Sequence, residues 1–107
     1  MSFRLDVLRA AIADITEAAR WYEDQREGLG AEFALAVNET IETLAEQALL
    51  FRVRYRRKNA RWTFPRRFPF RICYYLEGQT VHVFSVIHAA RHDRQWRRRL
   101  CDPPTQP

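Results

Sequence analysis

The chain of 107 residues has room for one domain around a single hydrophobic core, and its formal net charge is +5. An apolar fraction of 47%, with three Trp, four Tyr and seven Phe, excludes an intrinsically disordered protein. No apolar run approaches the ~20 residues that a membrane-spanning helix needs, and the N-terminus resembles no signal peptide, so we expect a cytoplasmic protein.

The first half of the sequence predicts a strand followed by two helices. Residues 2–8 alternate apolar and polar side chains, which is the period of a strand. Helical spacing begins at residue 10 and continues to about residue 25. The Gly-Leu-Gly sequence at residues 28–30 indicates the turn of a helical hairpin, and a second helix is predicted for residues 29–47.

Each predicted helix has one apolar stripe that suits burial against a sheet. The first stripe consists of Ala11, Ile12, Ile15, Ala18, Ala19 and Tyr22. The second stripe consists of Leu29, Phe33, Val37, Ile41, Leu44 and Ala48. Because Trp21 and Tyr22 also fall at helical spacing, we interpret both as core or helix–helix packing residues and not as a binding box.

Residues 51–67 predict at least one further strand, which lies between Arg61 and Arg67. The Lys-Asn pair at residues 58–59 is typical of a turn before it. Proline cannot donate a backbone hydrogen bond to a sheet, so Pro65 indicates that this strand lies at an edge, is bulged, or ends there.

Residues 68–91 predict a β-hairpin. Its turn spans residues 77–80, where Gly78 suits the first central position of a type II′ turn. A two-residue loop of this kind places Tyr75 opposite His82, and the same register then continues along both strands.

The hairpin register divides the two strands into an apolar face and a mixed face. The apolar face consists of Phe70, Ile72, Tyr74, Leu76, Val81, Val83, Ser85 and Ile87. The mixed face consists of Arg71, Cys73, Tyr75, His82, Phe84, Val86 and His88. Two amphipathic helices over the apolar face predict a two-layer α+β domain with an N-terminal strand, a helical hairpin and an antiparallel sheet of three or more strands. Any chemistry should then lie on the mixed face.

The charge is distributed unevenly along the chain. Residues 1–47 contain four Arg and ten Asp or Glu, whereas residues 48–107 contain fourteen Lys or Arg and three Asp or Glu, which gives −6 and +11. Seventeen of the eighteen cations are Arg, whose planar guanidinium binds phosphates and carboxylates in a bidentate manner. A basic half of this kind suits nucleic acid or an acidic protein partner, or forms a solvated surface without a dedicated ligand.

The C-terminal part is polar and basic. A short turn or helix is predicted for residues 93–98, with Trp96 as its apolar anchor. We expect one domain over residues 1–100 and a flexible tail at residues 101–107.

The cysteines and histidines do not form a metal-binding pattern. Cys73 and Cys101 are expected to be free thiols in a reducing cytoplasm, and a disulfide between them is the alternative. His82, His88 and His92 lack the spacing of metal ligands and an acidic co-ligand. We therefore expect neither a metal ion nor another cofactor.

Several short motifs occur together in a characteristic order. They are Ala13-Asp14-Ile15, Glu17-Ala18, Trp21-Tyr22-Glu23, Gly28-Leu29-Gly30, Phe33, Phe68-Pro69-Phe70-Arg71-Ile72, Tyr74, Val86, His88, Arg91 and Trp96. In this order and spacing, over residues 3–99, the sequence resembles the RelE/ParE superfamily of toxins from type II toxin–antitoxin modules.

The resemblance implies a small toxin that is neutralised by a cognate acidic antitoxin. ParE-like members inhibit DNA gyrase by binding to it, and RelE-like members are endoribonucleases (mRNA interferases) that cleave mRNA on the ribosome. Residues 68–72 and the segment from His88 to Arg91 look closer to the ParE-like, plasmid-stabilisation branch. We therefore predict gyrase inhibition, with ribosome-dependent mRNA cleavage as the alternative and a non-toxic nucleic-acid-binding domain as the second alternative. Whether the chain is an enzyme, and its oligomeric state, stay open.

Two sets of candidate site residues correspond to the two mechanisms. If the chain is a nuclease, Arg71 supplies charge to the phosphate and His88 acts as acid or base, because the predicted register makes them diagonal neighbours about 7–8 Å apart. If it inhibits by binding, the target contacts are predicted to be Arg61, Tyr75, Arg91, Arg97, Arg98 and Arg99. With Lys58 as the one lysine and no carboxylate on the mixed face of the hairpin to act as base, binding is favoured.

Overall fold

A computed structural model of the chain describes residues 2–90 and 99–100. Its elements are β1 (Arg4–Val7), α1 (Arg9–Gln25), α2 (Leu29–Gln47), β2 (Ala60–Thr63), β3 (Phe70–Glu77) and β4 (Thr80–His88), with short 3₁₀ helices at Ala48–Leu50 and Arg56–Lys58. The predicted α+β order is therefore confirmed. Within the described residues, no helix has both the length and the apolar character needed to cross a membrane.

The four strands form one mixed sheet in the order β1-β4-β3-β2. β2, β3 and β4 are antiparallel neighbours, as predicted. β1 pairs in parallel with the start of β4, with Arg4 opposite Thr80 and Val7 opposite Val83. This parallel pair requires a long connection, which here contains both helices and the strands β2 and β3. β2 lies at the other edge of the sheet and ends at Thr63, before Pro65, so two of the three alternatives that Pro65 left open are found.

The main core lies between the helices and one face of the sheet. Its largest buried side chains are Phe33, Val37 and Leu44 from α2 and Ile72, Tyr74, Val81 and Val83 from the sheet. The α2 residues are separated by four and seven positions, so they share one face of the helix. This arrangement confirms that the helical hairpin covers the predicted apolar face.

The two aromatic residues in α1 have different environments. The ring of Tyr22 packs in the main core, 5.2 Å from the ring centroid of Phe33 and 5.0 Å from that of Phe68. Trp21 is 58% exposed, and its ring meets that of Tyr22 at the edge. The interpretation of Trp21 as a core residue is therefore wrong, because consecutive helical residues point about 100° apart.

Glu23 fixes the start of α2 against α1. Its carboxylate accepts hydrogen bonds from the backbone N–H groups of Gly28 and Gly30, both at 3.0 Å, and so supplies acceptors for donors that a helix leaves unpaired at its N-terminus. A Cβ atom at Gly30 would lie 2.5 Å from the carbonyl oxygen of Ala19. The glycine is therefore needed for the close approach of the two helices.

The turn of the β3–β4 hairpin agrees with the prediction, but the register beyond it changes. Glu77 lies opposite Thr80, and Gly78 has a φ of 62°, which suits a type II′ turn. Further along, Tyr74 lies opposite Val83 whereas Cys73 lies opposite Ser85. Phe84 is thus an extra residue in β4, which is a β-bulge.

The bulge reverses the faces of the β4 residues that follow it. Val86 turns into the main core, whereas Ser85 and Ile87 turn to the opposite face. The predicted faces of these three residues are wrong, because one inserted residue exchanges the two sides of a strand. His88 now lies opposite Phe70, with 5.3 Å between their ring centroids.

Candidate functional site

The sheet face that points away from the helices, called the open face here, carries a second, smaller apolar cluster. Its buried members are Ala60, Cys73, Phe84, Ile87 and Leu100. The side chain of Cys73 is fully buried within this cluster. Since Leu100 is 5% exposed, the C-terminal end of the described chain covers part of the open face. The face is consequently less polar than the sequence suggested.

Arg71 and His88 are not brought together. Arg71 lies opposite Ile87 on the open face, whereas His88 is paired with Phe70 and packs beside the Phe70 ring. The Nδ1 atom of His88 accepts a hydrogen bond of 3.0 Å from the backbone N–H of Ala90. The predicted juxtaposition of Arg71 and His88 on one face is wrong, and the bulge at Phe84 is the cause.

The end of the open face near the hairpin turn contains a histidine between two carboxylates. The Nδ1 atom of His82 is 2.9 Å from Asp6, and its Nε2 atom is 3.4 Å from Glu77. The His82 ring stacks on Tyr75 with 4.8 Å between ring centroids. Burial raises the pKa of the Tyr75 hydroxyl, and Glu77 and Asp6 raise it further. Tyr75 is therefore a neutral hydrogen-bond donor at physiological pH.

Asp6 was not among the predicted site residues, because the register of the hairpin gives no partner for β1. β1 places Asp6 directly opposite His82 in the parallel pair. The alternation of a strand does not show which other strand it pairs with in parallel. The sequence therefore showed only that Asp6 is a polar residue in the middle of a short strand.

A second polar group on the open face consists of two arginines over one tryptophan. The guanidinium carbon of Arg71 lies 4.2 Å from the ring centroid of Trp62, and that of Arg54 lies 4.4 Å from it. Trp62 is opposite Cys73, so Arg71 is its diagonal neighbour on the adjacent strand. Cation–π attraction positions both guanidinium groups. Trp62 and Arg54 were not among the predicted site residues.

The side chain of Arg61 forms hydrogen bonds inside the fold. It is buried, and its guanidinium donates to the carbonyl oxygens of Ala48 at 3.4 Å and Phe51 at 3.0 Å, and to the side chain of Asn59 at 2.9 Å. Arginine near the end of a helix stabilises carbonyl groups that have no helical partner. Arg61 therefore joins the end of α2 to β2.

The hydroxyl of Tyr74 donates a 2.6 Å hydrogen bond to the same Ala48 carbonyl. Burial raises the pKa of Tyr74 to about 12, against the opposing effect of the Arg61 charge. Because the folded-state pKa is above the usual 10.0, the stability that this hydroxyl contributes is complete below pH 10 and is lost as the pH rises towards 12.

We expect Tyr74→Phe to lower the free energy of unfolding by about 1 kcal/mol at pH 7, since one hydrogen bond is removed. The unmodified chain should become less stable above pH 10, and this decline should be smaller in the variant. Urea titrations at pH 7, 9, 10 and 11 measure both effects. Tyr55→Phe, on the other face of the sheet, is the control and should show the full decline. An equally steep decline in Tyr74→Phe would show that the raised pKa of Tyr74 is not its cause.

Arg99 connects the C-terminal end of the described chain to α1. Its guanidinium forms a bidentate ion pair with Asp14, with 3.0 Å between Nη2 and Oδ1, and also lies 3.3 Å from the hydroxyl of Ser85. Asp14 additionally accepts the backbone N–H of Val86 at 2.9 Å. The hydrogen bond to Asp14 raises the pKa of Arg99. Of the other predicted contacts, Arg91, Arg97 and Arg98 lie outside the described residues.

The comparisons with known proteins agree with this architecture. A sequence model described as "ParE toxin of type II toxin-antitoxin system, parDE" matches residues 5–93. A solved structure described as "Chromosomal ParDE TA system from P. aeruginosa" is similar with a TM-score of 0.71 and 17% identity, covering 81% of this chain and 96% of that chain. At this identity, the likeness shows a common fold. No curated protein matches the sequence. Because the family model covers more than half of the sequence, the chain belongs to the ParE toxin family of type II toxin–antitoxin systems.

Proposed function

We propose that this toxin inhibits DNA gyrase by binding to it and has no catalytic step of its own. The observation that carries the proposal is the separation of Arg71 and His88, which the bulge at Phe84 places on opposite faces of the sheet. Cleavage of RNA needs an acid, a base and positive charge around a single phosphate. This pair cannot supply acid and charge to one phosphate.

The proposed target surface includes the part of the open face where Tyr75 packs against the apolar cluster that contains Leu100. Tyr75 stays in the proposal because its ring is half-buried on this face and its hydroxyl is a neutral donor. Arg91, Arg97 and Arg98 are retained as proposed target contacts because of their position in the sequence. Arg61 and Arg99 are left out, since their guanidinium groups form internal contacts that packing requires.

The proposal places the chain in the cytoplasm, where gyrase acts, with a cognate acidic antitoxin as its neutralising partner. Residues 48–76 support an acidic partner, because they contain nine Lys or Arg and no Asp or Glu. Complementary charge of this kind accelerates association and makes the rate depend on salt.

The test uses the purified chain, freed of antitoxin, in two parallel assays. We expect inhibition of gyrase supercoiling at a dose that leaves ribosome-bound mRNA intact. Arg71→Ala and His88→Ala should change the gyrase dose response by less than tenfold. In a nuclease, loss of a positioned acid or base typically reduces the rate by ~10²–10⁴-fold.

Two outcomes contradict the proposal. Cleavage of mRNA on ribosomes that disappears in His88→Ala would identify the alternative, an mRNA interferase. A folded chain that binds DNA but affects neither gyrase nor translation would identify the second alternative, a nucleic-acid-binding domain. Circular dichroism of each variant checks that it is folded.

A further inference from the structure

The two edges of the sheet differ in how far other parts of the chain cover them. At the β2 edge, the backbone N–H of Arg54 donates to the carbonyl oxygen of Ala60 at 2.7 Å, so the preceding connection runs beside this strand. β1 forms the opposite edge. Three of its four residues, Arg4, Leu5 and Asp6, are exposed. β1 is therefore the less protected edge of the sheet.

Alternate residues of β1 direct their backbone groups away from β4. The N–H of Arg4 donates to the carbonyl oxygen of Gln79, immediately before β4, at 2.8 Å. Because successive peptide groups of a strand point to opposite sides, the N–H and C=O groups of Leu5 and Val7 point to the free edge. Within the described residues, neither of these N–H groups has a hydrogen-bond acceptor. Buried N–H groups are almost always paired, so these two face solvent or a partner.

The end of α2 limits the free edge on one side. The N–H of Phe3 donates to the carbonyl oxygen of Ala45 at 2.7 Å and is not available to another strand. The available groups are the N–H groups of Leu5 and Val7 and the carbonyl groups of Phe3 and Leu5. Two copies of this set form a short antiparallel ladder, in which Leu5 lies opposite Leu5 of the second copy and Val7 lies opposite Phe3.

The charged side chains of β1 are complementary to each other in this ladder. With Leu5 opposite Leu5, Arg4 lies opposite Asp6 of the second copy, and Asp6 lies opposite Arg4 of the second copy. Residues directly opposite each other have Cβ atoms about 4.5–5.5 Å apart, which is within reach of an ion pair. A shift by two residues would instead place Arg4 opposite Arg4 or Asp6 opposite Asp6. The charges therefore select one register of a twofold-symmetric pair.

Both charged side chains are available for this contact. Arg4 forms no ion pair within the part of the chain that the structure describes, and the Asp6 side chain is 50% exposed. Asp6 uses its Oδ2 atom for the 2.9 Å contact with Nδ1 of His82. A guanidinium group from a second copy can therefore contact Oδ1 of Asp6 while the contact with His82 is kept.

We propose that β1 pairs in antiparallel fashion with β1 of a second copy of this chain, so that two four-stranded sheets form one continuous sheet. Arg4 of the second copy contacts Asp6 and adds a positive charge to the group of Asp6, His82 and Glu77 on the open face. Each copy contributes one short strand, so the interface is small and the dimer is weak and reversible. The inference does not depend on gyrase as the target.

The test is sedimentation equilibrium of the full chain, freed of antitoxin, from micromolar to millimolar concentration. We expect the mean mass to rise from 12.8 kDa towards twice that value as the concentration increases. Arg4→Asp should weaken the dimer at least tenfold, because symmetry converts two attractive pairs into two repulsive pairs. Arg20→Asp, an equal charge reversal at an exposed position on α1, should change the dissociation constant less than twofold.

A mixture of two variants tests the register. Asp6→Arg should also weaken self-association at least tenfold, because it places arginines opposite each other. In a mixture of Arg4→Asp with Asp6→Arg, every arginine on β1 faces an aspartate. A labelled Arg4→Asp chain should therefore bind Asp6→Arg at least tenfold more tightly than it binds its own unlabelled copy. Both variants keep a positive net charge, so net charge alone would oppose the mixture.

A proline substitution tests the backbone pairing. Leu5→Pro removes the central N–H donor of the ladder and should weaken the dimer at least tenfold. Because this N–H points away from β4, the pairing of β1 with β4 should be retained. Leu5→Ala keeps the N–H and should weaken the dimer only a few-fold. Circular dichroism checks that each variant is folded.

Each other outcome overturns the proposal. A chain that is monomeric up to millimolar concentration does not pair in this way, and a dimer that survives both Arg4→Asp and Leu5→Pro uses another surface. Equal losses in Leu5→Ala and Leu5→Pro would indicate side-chain packing without strand pairing, and a mixture that does not associate would exclude the register.

A further probe distinguishes a second copy from another protein at the same edge. Binding of a fluorescent valine–serine repeat peptide to a monomeric chain, lost in Leu5→Pro, would make the edge a site for a strand of a different protein and would overturn the proposal. Since no gyrase is present in these experiments, failure of this proposal is distinguishable from failure of the gyrase proposal.

Discussion

Phe33→Ala is expected to lower the free energy of unfolding by about 3–5 kcal/mol, the usual cost of truncating a fully buried phenylalanine. The Phe33 ring is completely buried and lies 5.2 Å from the ring centroids of Tyr22 and Phe68 and 5.0 Å from that of Phe70. Removal of this ring leaves a cavity between both helices and the start of β3. Urea titration followed by circular dichroism measures the change.

Leu35→Ala, two residues along the same helix, is the matched control. Leu35 is 59% exposed, so its truncation should change the free energy of unfolding by less than about 0.5 kcal/mol. A loss below about 1 kcal/mol in Phe33→Ala would mean that the aromatic cluster does not form the centre of the core.

Asp14→Ala should lower the free energy of unfolding by about 2–3 kcal/mol, below the ~3–5 kcal/mol for a fully buried ion pair because the Arg99 side chain is 32% exposed. Without Asp14, the guanidinium of Arg99 and the backbone N–H of Val86 both lose an acceptor. β1 pairs with β4 no further than Val83, so β1 does not supply an acceptor for the backbone N–H of Val86 in place of Asp14.

A double-mutant cycle isolates the ion pair. Arg99→Ala should cost less than Asp14→Ala, because it leaves the bond from Asp14 to Val86 in place, and the two effects should not be additive. Glu17→Ala, an exposed position one turn along α1, controls for loss of a helix carboxylate. Additive effects of the two substitutions would show that Asp14 and Arg99 do not interact in solution.

The residues that carry the family resemblance serve mainly to build the fold. Phe33 packs against Phe68 and Phe70, and Gly30 allows α1 to approach α2. His88 packs beside Phe70. These motif residues therefore specify how the helical hairpin is attached to the sheet.

The sequence by itself determined the secondary structure and its layering. Both helices end within one residue of their predicted limits, because their apolar stripes repeat with the period of a helix. Gly78 determined the hairpin turn, and with it the pairing of Tyr75 with His82. Pro65 indicated that the strand before it lies at an edge, is bulged or ends there, and β2 both ends at Thr63 and lies at an edge. These features depend on local chemistry.

Only the tertiary structure decided which side chains meet on the open face. The bulge at Phe84 is hidden in the sequence, because apolar residues on both sides of it are compatible with either register. The parallel pairing that brings Asp6 to His82 and the ion pair between Asp14 and Arg99 join residues far apart in the chain. Such contacts depend on the closure of the whole domain, which the period of a single segment does not specify.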